Sequence, residues 1–110
     1  MKIIFLQQAL DYFNELSTIL FEKEYFGFEN SAANYVEELI DDILSSLPFR
    51  PKHNAPAYFD RYGKEMYYCT FPKNKHTTWY VFFSIYQTDT ERVFLIKYIS
   101  NNHVTGQFLL

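Results

Sequence analysis

Hydrophobic residues along the chain follow two different periods, which separate predicted helices from predicted strands. Two segments place apolar residues at the i, i+3, i+4 and i+7 positions of an amphipathic helix, one starting at Gln7 and one ending before Pro48. Gly27 is the expected stop of the first helix, and Asn30 or Ser31 is the expected cap of the second. Two such stripes joined by a short loop predict a helical hairpin that buries its apolar side on another element.

Strand-like patterns flank this hairpin. Residues 2–6 form a short strand candidate, and residues 65–71 have strand character after a connector at residues 49–63. Residues 77–86 and 92–99 are rich in β-branched and aromatic side chains on both faces, which predicts a β-hairpin at the centre of the sheet. The order β-α-α-β-β-β predicts an α+β fold, in which the helical hairpin packs on one face of a mostly antiparallel sheet of three or four strands.

Composition favours one packed domain over residues 1–110. The chain has ten Tyr, twelve Phe and one Trp, and 48% of its residues are hydrophobic. No apolar run approaches the ~18–20 residues that cross a bilayer, and the N-terminal run is shorter than a signal-peptide core of about 7–15 residues. The single cysteine, Cys69, has no partner for an internal disulfide, and we expect it to be a small buried hydrophobe. These features predict a cytoplasmic protein without membrane association.

The net charge of −3 is divided unevenly along the chain. Residues 1–47 hold nine acidic and two basic side chains, whereas residues 48–110 hold eight basic and four acidic ones. Six of those basic side chains fall between Arg50 and His76. Such asymmetry favours an anionic partner for the basic part. The alternative is that acidic helix faces simply keep the molecule in solution.

No standard catalytic signature is present in the sequence. We find no phosphate-binding glycine loop, no G-x-S-x-G elbow and no H-E-x-x-H motif. The three histidines and Cys69 are not spaced like a metal site, so we expect neither a metal nor a cofactor. What the sequence offers instead is a set of basic loops and a histidine, His103, at the end of the last long strand.

These residue types suit metal-independent RNA cleavage. Attack by a 2′-hydroxyl needs a base for its proton, an acid for the leaving oxygen and cations beside the phosphate. Histidine is suited to both proton transfers, and aromatic rings stack on unpaired bases at ~1–3 kcal/mol each. The alternatives are structural: His103 hydrogen-bonds a loop, His76 is a solvated turn residue, and Trp79 belongs to the core. Tyr67 and Tyr68 lie on opposite faces of their strand, so at most one of them lines a site.

Two sequence blocks lie in the strands of the predicted hairpin: T-T-W-Y-V-F-F, which begins at Thr77, and the strand end N-N-H, which closes at His103. In these blocks, its size and its element order, the chain resembles the RelE/ParE superfamily of bacterial toxins. The resemblance implies the toxin of a type II toxin-antitoxin system that is held inactive by a cognate antitoxin, as a homodimer or a toxin-antitoxin heterotetramer. Many members cleave mRNA on the ribosome without a metal.

The place of His103 matches the resemblance, and the basic loops and aromatic residues of this chain suggest the remaining roles of a nuclease. His103 would exchange protons with the 2′-hydroxyl or the leaving oxygen, and the catalytic cations Arg61 and Lys75 would neutralise phosphate. Trp79 or Tyr67 would stack on a base. The remaining RNA-binding candidates are Arg50, Lys52, Lys64, Lys73 and His76.

The sequence also supports a non-enzymatic interpretation of the function. The strand that contains Tyr67 lacks the paired lysines of many nuclease members, and Trp79 stands where such members often carry an arginine. The alternative is therefore a ParE-like inhibitor of DNA gyrase, or a degenerate toxin that only binds its antitoxin.

Overall fold

The computed structural model describes residues 1–22 and 29–109. Two helices and five strands make up the fold, together with short 3-10 helices at Leu47–Phe49, Ala57–Arg61 and Gly106–Leu109. In chain order the elements are β1 (Lys2–Phe5), α1 (Gln7–Glu22), α2 (Glu29–Ser46), β2 (His53–Asn54), β3 (Tyr67–Pro72), β4 (Thr78–Gln87) and β5 (Arg92–Asn101).

The strands form one mixed sheet in the order β1-β5-β4-β3-β2. β1 runs parallel to β5, and the other three pairings are antiparallel. The predicted α+β class and the helical hairpin on a sheet are confirmed, but the predicted strand count of three or four is too low. The connector contributes β2, whose two residues pair with Tyr67 and Tyr68 of β3. A strand of two residues is too short to show a period.

The predicted helix ends are only partly visible. The described part of α2 starts at Glu29, so Asn30 and Ser31 lie within the helix and do not cap it. Gly27, the expected stop of the first helix, lies outside the described residues. At the other end α2 stops at Ser46 and gives way to a 3-10 turn containing Pro48, as the proline predicts.

One face of the sheet is covered by the two helices. Their apolar stripes are buried against every second residue of β4 and β5, because side chains in a strand alternate between the faces. Leu16 and Leu39 from the helices, and Val81 and Phe83 from the sheet, are at most 1% exposed. This helix-side core is the larger of two hydrophobic clusters in the described chain.

The other face carries a second cluster, which we call the aromatic layer. Phe59, from the 3-10 helix Ala57–Arg61, stacks on Phe82 with ring centroids 4.4 Å apart. Tyr58 stacks on Phe108 at 3.7 Å, so the C-terminal segment also folds onto this face. The layer comprises Tyr58, Phe59, Tyr62, Met66, Tyr68, Tyr80, Phe82, Tyr98, Phe108 and Leu109.

A β-bulge in β5 lets both faces be filled. Phe82 pairs with Tyr98 and the next residue, Phe83, pairs with Ile96, so Lys97 is the extra residue. Within the described residues, no helix is long and apolar enough to span a membrane.

A matched pair of leucines on α2 tests the helix-side core. Leu39 is fully buried, whereas Leu44 is 47% exposed. Leu39→Ala should lower the free energy of unfolding by about 2–5 kcal/mol because it removes buried methyl groups and leaves a cavity. Leu44→Ala should change it by roughly 0.5 kcal/mol or less. Urea unfolding followed by circular dichroism measures both, and equal losses would contradict this packing.

Candidate functional site

Two loops meet at one end of the sheet: the β3–β4 turn, residues 73–77, and the end of β5 with the residues after it, 101–103. We call this region the rim. Asn102 joins the two loops, since its side-chain amide donates to the carbonyl of His76 at 3.0 Å. Its side-chain oxygen accepts from the backbone N–H of Thr78 at 2.9 Å, and its own N–H donates to the Thr78 carbonyl at 3.1 Å. One asparagine thus fixes the turn against the strand end.

Two further asparagines shape the loops from within. The side-chain oxygen of Asn74 accepts from the N–H groups of His76 and Thr77 at 2.8 and 2.9 Å. That of Asn101 accepts from the N–H of His103 at 2.9 Å. Asparagine favours such local turns because its side chain bonds backbone groups two residues on. Sequence reasoning missed these positioning roles, although an N-N pair at a strand end was a usable signal.

His103 is exposed at the rim, and its ring is held by one side-chain contact. Its Nε2 lies 3.1 Å from the Thr77 hydroxyl, and the tautomer decides which of the two groups donates. The ring also lines a cavity of about 310 Å³ with Tyr35 and Trp79, beside the helices. The expected loop hydrogen bond of His103 is therefore present, and its imidazole still reaches solvent.

Three predicted cationic or imidazole side chains share the rim with His103. Lys73, Lys75 and His76 all lie on the β3–β4 turn, which Asn102 ties to the strand end. The Lys73 ammonium lies 6.0 Å from the centre of the ring of Tyr35, a residue that lines the same cavity as His103. Lys75 and His76 are exposed. The turn that carries these three residues therefore lies next to the strand end that carries His103.

Arg61 belongs to the other face of the sheet. Its guanidinium carbon lies 3.9 Å from the centre of the Tyr58 ring, and its Nε donates to the Tyr58 carbonyl at 2.9 Å. Because Tyr58 stacks on Phe108, Arg61 covers the aromatic layer. The structure therefore does not group Arg61 with His103 in the helix-side cavity. Lys64 is exposed three residues later, and Lys52 is exposed just before β2.

Arg50 has a structural role that corrects its expected place among the RNA-binding residues. Its Nη2 contacts both carboxylate oxygens of Asp42 at 3.1 and 3.2 Å, and its Nε donates to Ser46 at 2.9 Å. Nη1 donates to the carbonyl of Thr70 at 3.0 Å, and the guanidinium lies 4.0 Å from the Phe71 ring centre. Arg50 joins α2 to β3 and has little capacity left for a phosphate.

The two rings expected to stack on bases lie on the helix side. Trp79 is 1% exposed, and its indole N–H donates to the Tyr35 hydroxyl at 2.7 Å. Tyr67 is half-buried against the helix-side core, near Phe83. Trp79 therefore has no free ring face, which corrects its expected stacking role, and Tyr67 does not face the open side. Tyr68 does face it, as the predicted alternation of the two tyrosines requires.

The aromatic layer supplies neutral hydroxyl groups. Burial raises the pKa of Tyr98 to about 12, helped by a hydrogen bond with Tyr62, whose ring stacks on it at 3.7 Å. Burial also raises the pKa of Tyr80, with a smaller contribution from Tyr68. These two phenols are protonated at neutral pH, so they can donate hydrogen bonds and bring no negative charge.

Two other chemistries have little support in the described chain. Burial raises the pKa of the Cys69 thiol to about 11, against the opposing effect of Arg50 and Lys52, so the thiolate is disfavoured. Over residues 1–22 and 29–109, no three His, Cys, Asp or Glu side chains converge as a group that could hold a metal ion.

The raised pKa of Tyr98 predicts a loss of stability in alkali. The fold favours the neutral phenol, so this contribution is complete below the ordinary pKa of 10.0 and is lost as pH rises towards about 12. Tyr98→Phe cannot ionise, and its free energy of unfolding should therefore fall less steeply between pH 10 and 12. Urea unfolding at several pH values measures the slope. Identical slopes in the wild-type protein and in Tyr98→Phe would refute the assignment.

No protein-family model, no curated protein and no solved structure matches the chain. The likeness to RelE/ParE toxins, carried by the element order and the two sequence blocks, therefore stays a prediction. What the chain does has to be inferred from its own residues and their geometry.

Proposed function

We propose that this chain is the toxin of a bacterial type II toxin-antitoxin system and a metal-independent, ribosome-dependent mRNA endoribonuclease. The observation that carries the proposal is the rim, where asparagine side chains hold an exposed imidazole beside a turn rich in cations. Preorganised groups of this kind are what transfer of a phosphoryl group to a 2′-hydroxyl needs. The family resemblance supplies the ribosome and the antitoxin as partners, and the composition of the chain supplies the cytoplasm as the expected location.

His103 exchanges the proton in this mechanism. Either it acts as the base that takes the 2′-hydroxyl proton while the 2′-oxygen attacks phosphorus and the 5′-oxygen leaves with a proton from water, or it acts as the acid that protonates the leaving 5′-oxygen while water takes the 2′-hydroxyl proton. The Thr77 hydroxyl, 3.1 Å from Nε2, fixes the orientation of the ring. Lys73 and Lys75 neutralise charge on the phosphate, and His76 binds RNA on the same turn.

Base stacking needs a side chain other than Trp79 and Tyr67, the two rings expected to provide it. Trp79 is buried and Tyr67 packs on the helix side. The guanidinium of Arg61 lies over the Tyr58 ring on the open face and offers a cationic group at the edge of the aromatic layer. A base that extends past the strand ends onto this face stacks there.

One observation favours a second, non-enzymatic function. Only uncharged side chains reach the open face from β3 and from residues 78–82 of β4. They are Tyr68, Thr70, Pro72, Thr78, Tyr80 and Phe82. A phosphate above the middle of this face meets no cation from those strands. The alternative is therefore a ParE-like gyrase inhibitor, or a toxin that has kept only antitoxin binding.

Removing the rim imidazole tests the nuclease. His103→Ala should slow cleavage of mRNA in translating ribosomes by about 100-fold or more, the usual loss when a proton-transfer group is removed. His53→Ala is the matched control, since that histidine is exposed on the edge strand β2 and packs on Tyr68. Primer extension on the mRNA measures both. An unchanged rate in His103→Ala would remove His103 from the mechanism.

The two functions separate in a second measurement. The wild-type protein is added to a translation reaction and, separately, to a gyrase supercoiling reaction. The nuclease predicts cleaved mRNA and normal supercoiling, whereas gyrase inhibition predicts intact mRNA and a loss of supercoiling. A protein that affects neither reaction would favour the degenerate toxin over both activities.

A further inference from the structure

The aromatic layer covers only part of the sheet face opposite the helices. At the lower end of this face, away from the rim, three adjacent strands leave an apolar area that we call the uncovered patch. Ile4 is 39% exposed there and Tyr86 is 49% exposed, while Val93 and Leu95 are half-buried. The patch comprises Lys2, Ile4, Ser84, Tyr86, Val93, Leu95 and Lys97.

The strand register places these side chains together on one face. Their chain neighbours, such as Ile3, Ile85 and Phe94, belong to the helix-side core, so the patch residues point the other way. Ile4 pairs with Leu95, which in turn pairs with Ser84. The patch therefore runs across β1, β5 and β4.

The sequence of these strands indicates that the patch is covered in use. A strand that is apolar on both faces normally has both faces buried. Near the rim both faces of β5 are covered, since Tyr98 lies under Tyr62 there. At Val93 and Leu95 the open face of β5 is not fully covered. Exposed, contiguous apolar area on a small protein is typical of a contact surface.

The width of the patch suits an α-helix. Three strands at about 4.8 Å spacing span roughly 10 Å, which is the diameter of a helix with its side chains, about 10–12 Å. A helix laid on this face would complete a three-layer arrangement, with α1 and α2 on the opposite side.

The charge of the patch selects an acidic partner. Lys2 and Lys97 are its two charged residues, and no carboxylate reaches this face from β1, from residues 84–86 or from residues 93–97. The Lys97 ammonium lies 3.4 Å from the Tyr86 hydroxyl and 5.9 Å from the centre of its ring, so it is held over the patch. Carboxylates flanking an apolar helical stripe would pair with both lysines.

A second copy of the chain fits the patch poorly. A two-fold contact brings the same surface of both copies together, so Lys2 and Lys97 of one copy would face the lysines of the other. Like charges placed opposite each other disfavour such a contact.

We propose that the uncovered patch docks an amphipathic helix of a partner protein, with its apolar stripe on Ile4, Leu95 and Tyr86 and its acidic flanks on Lys2 and Lys97. This docking site is independent of RNA cleavage, because none of the patch residues belongs to the rim.

A pair of designed peptides tests the proposal. Each has about 18 residues, long enough to form a helix, and carries the same leucine stripe; one is flanked by Glu and the other by Lys. The Glu peptide should bind the wild-type protein at least about tenfold more tightly in fluorescence anisotropy. The double variant Lys2→Glu/Lys97→Glu should reverse this preference.

The location of binding is tested independently. Ile4→Glu should weaken binding of the Glu peptide at least about tenfold, and Leu44→Glu, at a side chain 47% exposed on α2 on the opposite side of the sheet, should leave it unchanged. Amide shifts of the wild-type protein should concentrate at β1 and residues 93–97, which needs no folded variant. Equal binding of both peptides, no binding, shifts elsewhere, or a free dimer that Ile4→Glu dissociates would each overturn the proposal.

Discussion

Burial of the β4–β5 hairpin on both faces is the constraint on which the rest of the structure depends. Phe82 and Phe83 are consecutive and fully buried, yet they belong to different hydrophobic clusters on opposite sides of the sheet. The helical hairpin is needed for one side and the aromatic layer for the other. The bulge at Lys97 lets Tyr98 of β5 pair with Phe82 on one side of the sheet and Ile96 pair with Phe83 on the other. Nearly all of the middle of the sheet is thereby used for packing.

Polar chemistry is consequently displaced to the ends of the strands. At the rim, Asn74, Asn101 and Asn102 satisfy backbone groups of two loops and bring an imidazole next to a turn with two lysines. At the lower end of the open face, apolar side chains remain uncovered beside Lys2 and Lys97. The molecule thus presents two separate surfaces, a polar one with lysines around His103 and an apolar one beside Lys2 and Lys97.

The periodic parts of this structure were predictable, and the individual contacts were not. The 3.6-residue stripes of α1 and α2 and the two-faced apolar strands gave the fold class and the central hairpin. Periodicity does not reveal a two-residue strand such as β2, nor that the C-terminal segment folds back through Phe108. In the sequence, the basic residues from Arg50 to Lys75 lie close together, which predicted one cationic group. In the structure Asp42 engages Arg50, and Arg61 lies across the sheet on Tyr58, because sequence neighbourhood does not fix which face a loop residue reaches.

Site-specific photocrosslinking tests most directly whether the rim is the surface that meets RNA. A photoreactive phenylalanine analogue is placed at position 75 on the rim and, in a separate protein, at position 44, where the native leucine is 47% exposed on α2. Both proteins are added to translating ribosomes and irradiated. The account predicts a crosslink to mRNA from position 75 and none from position 44. A crosslink from position 44 alone, or from neither position, would contradict it.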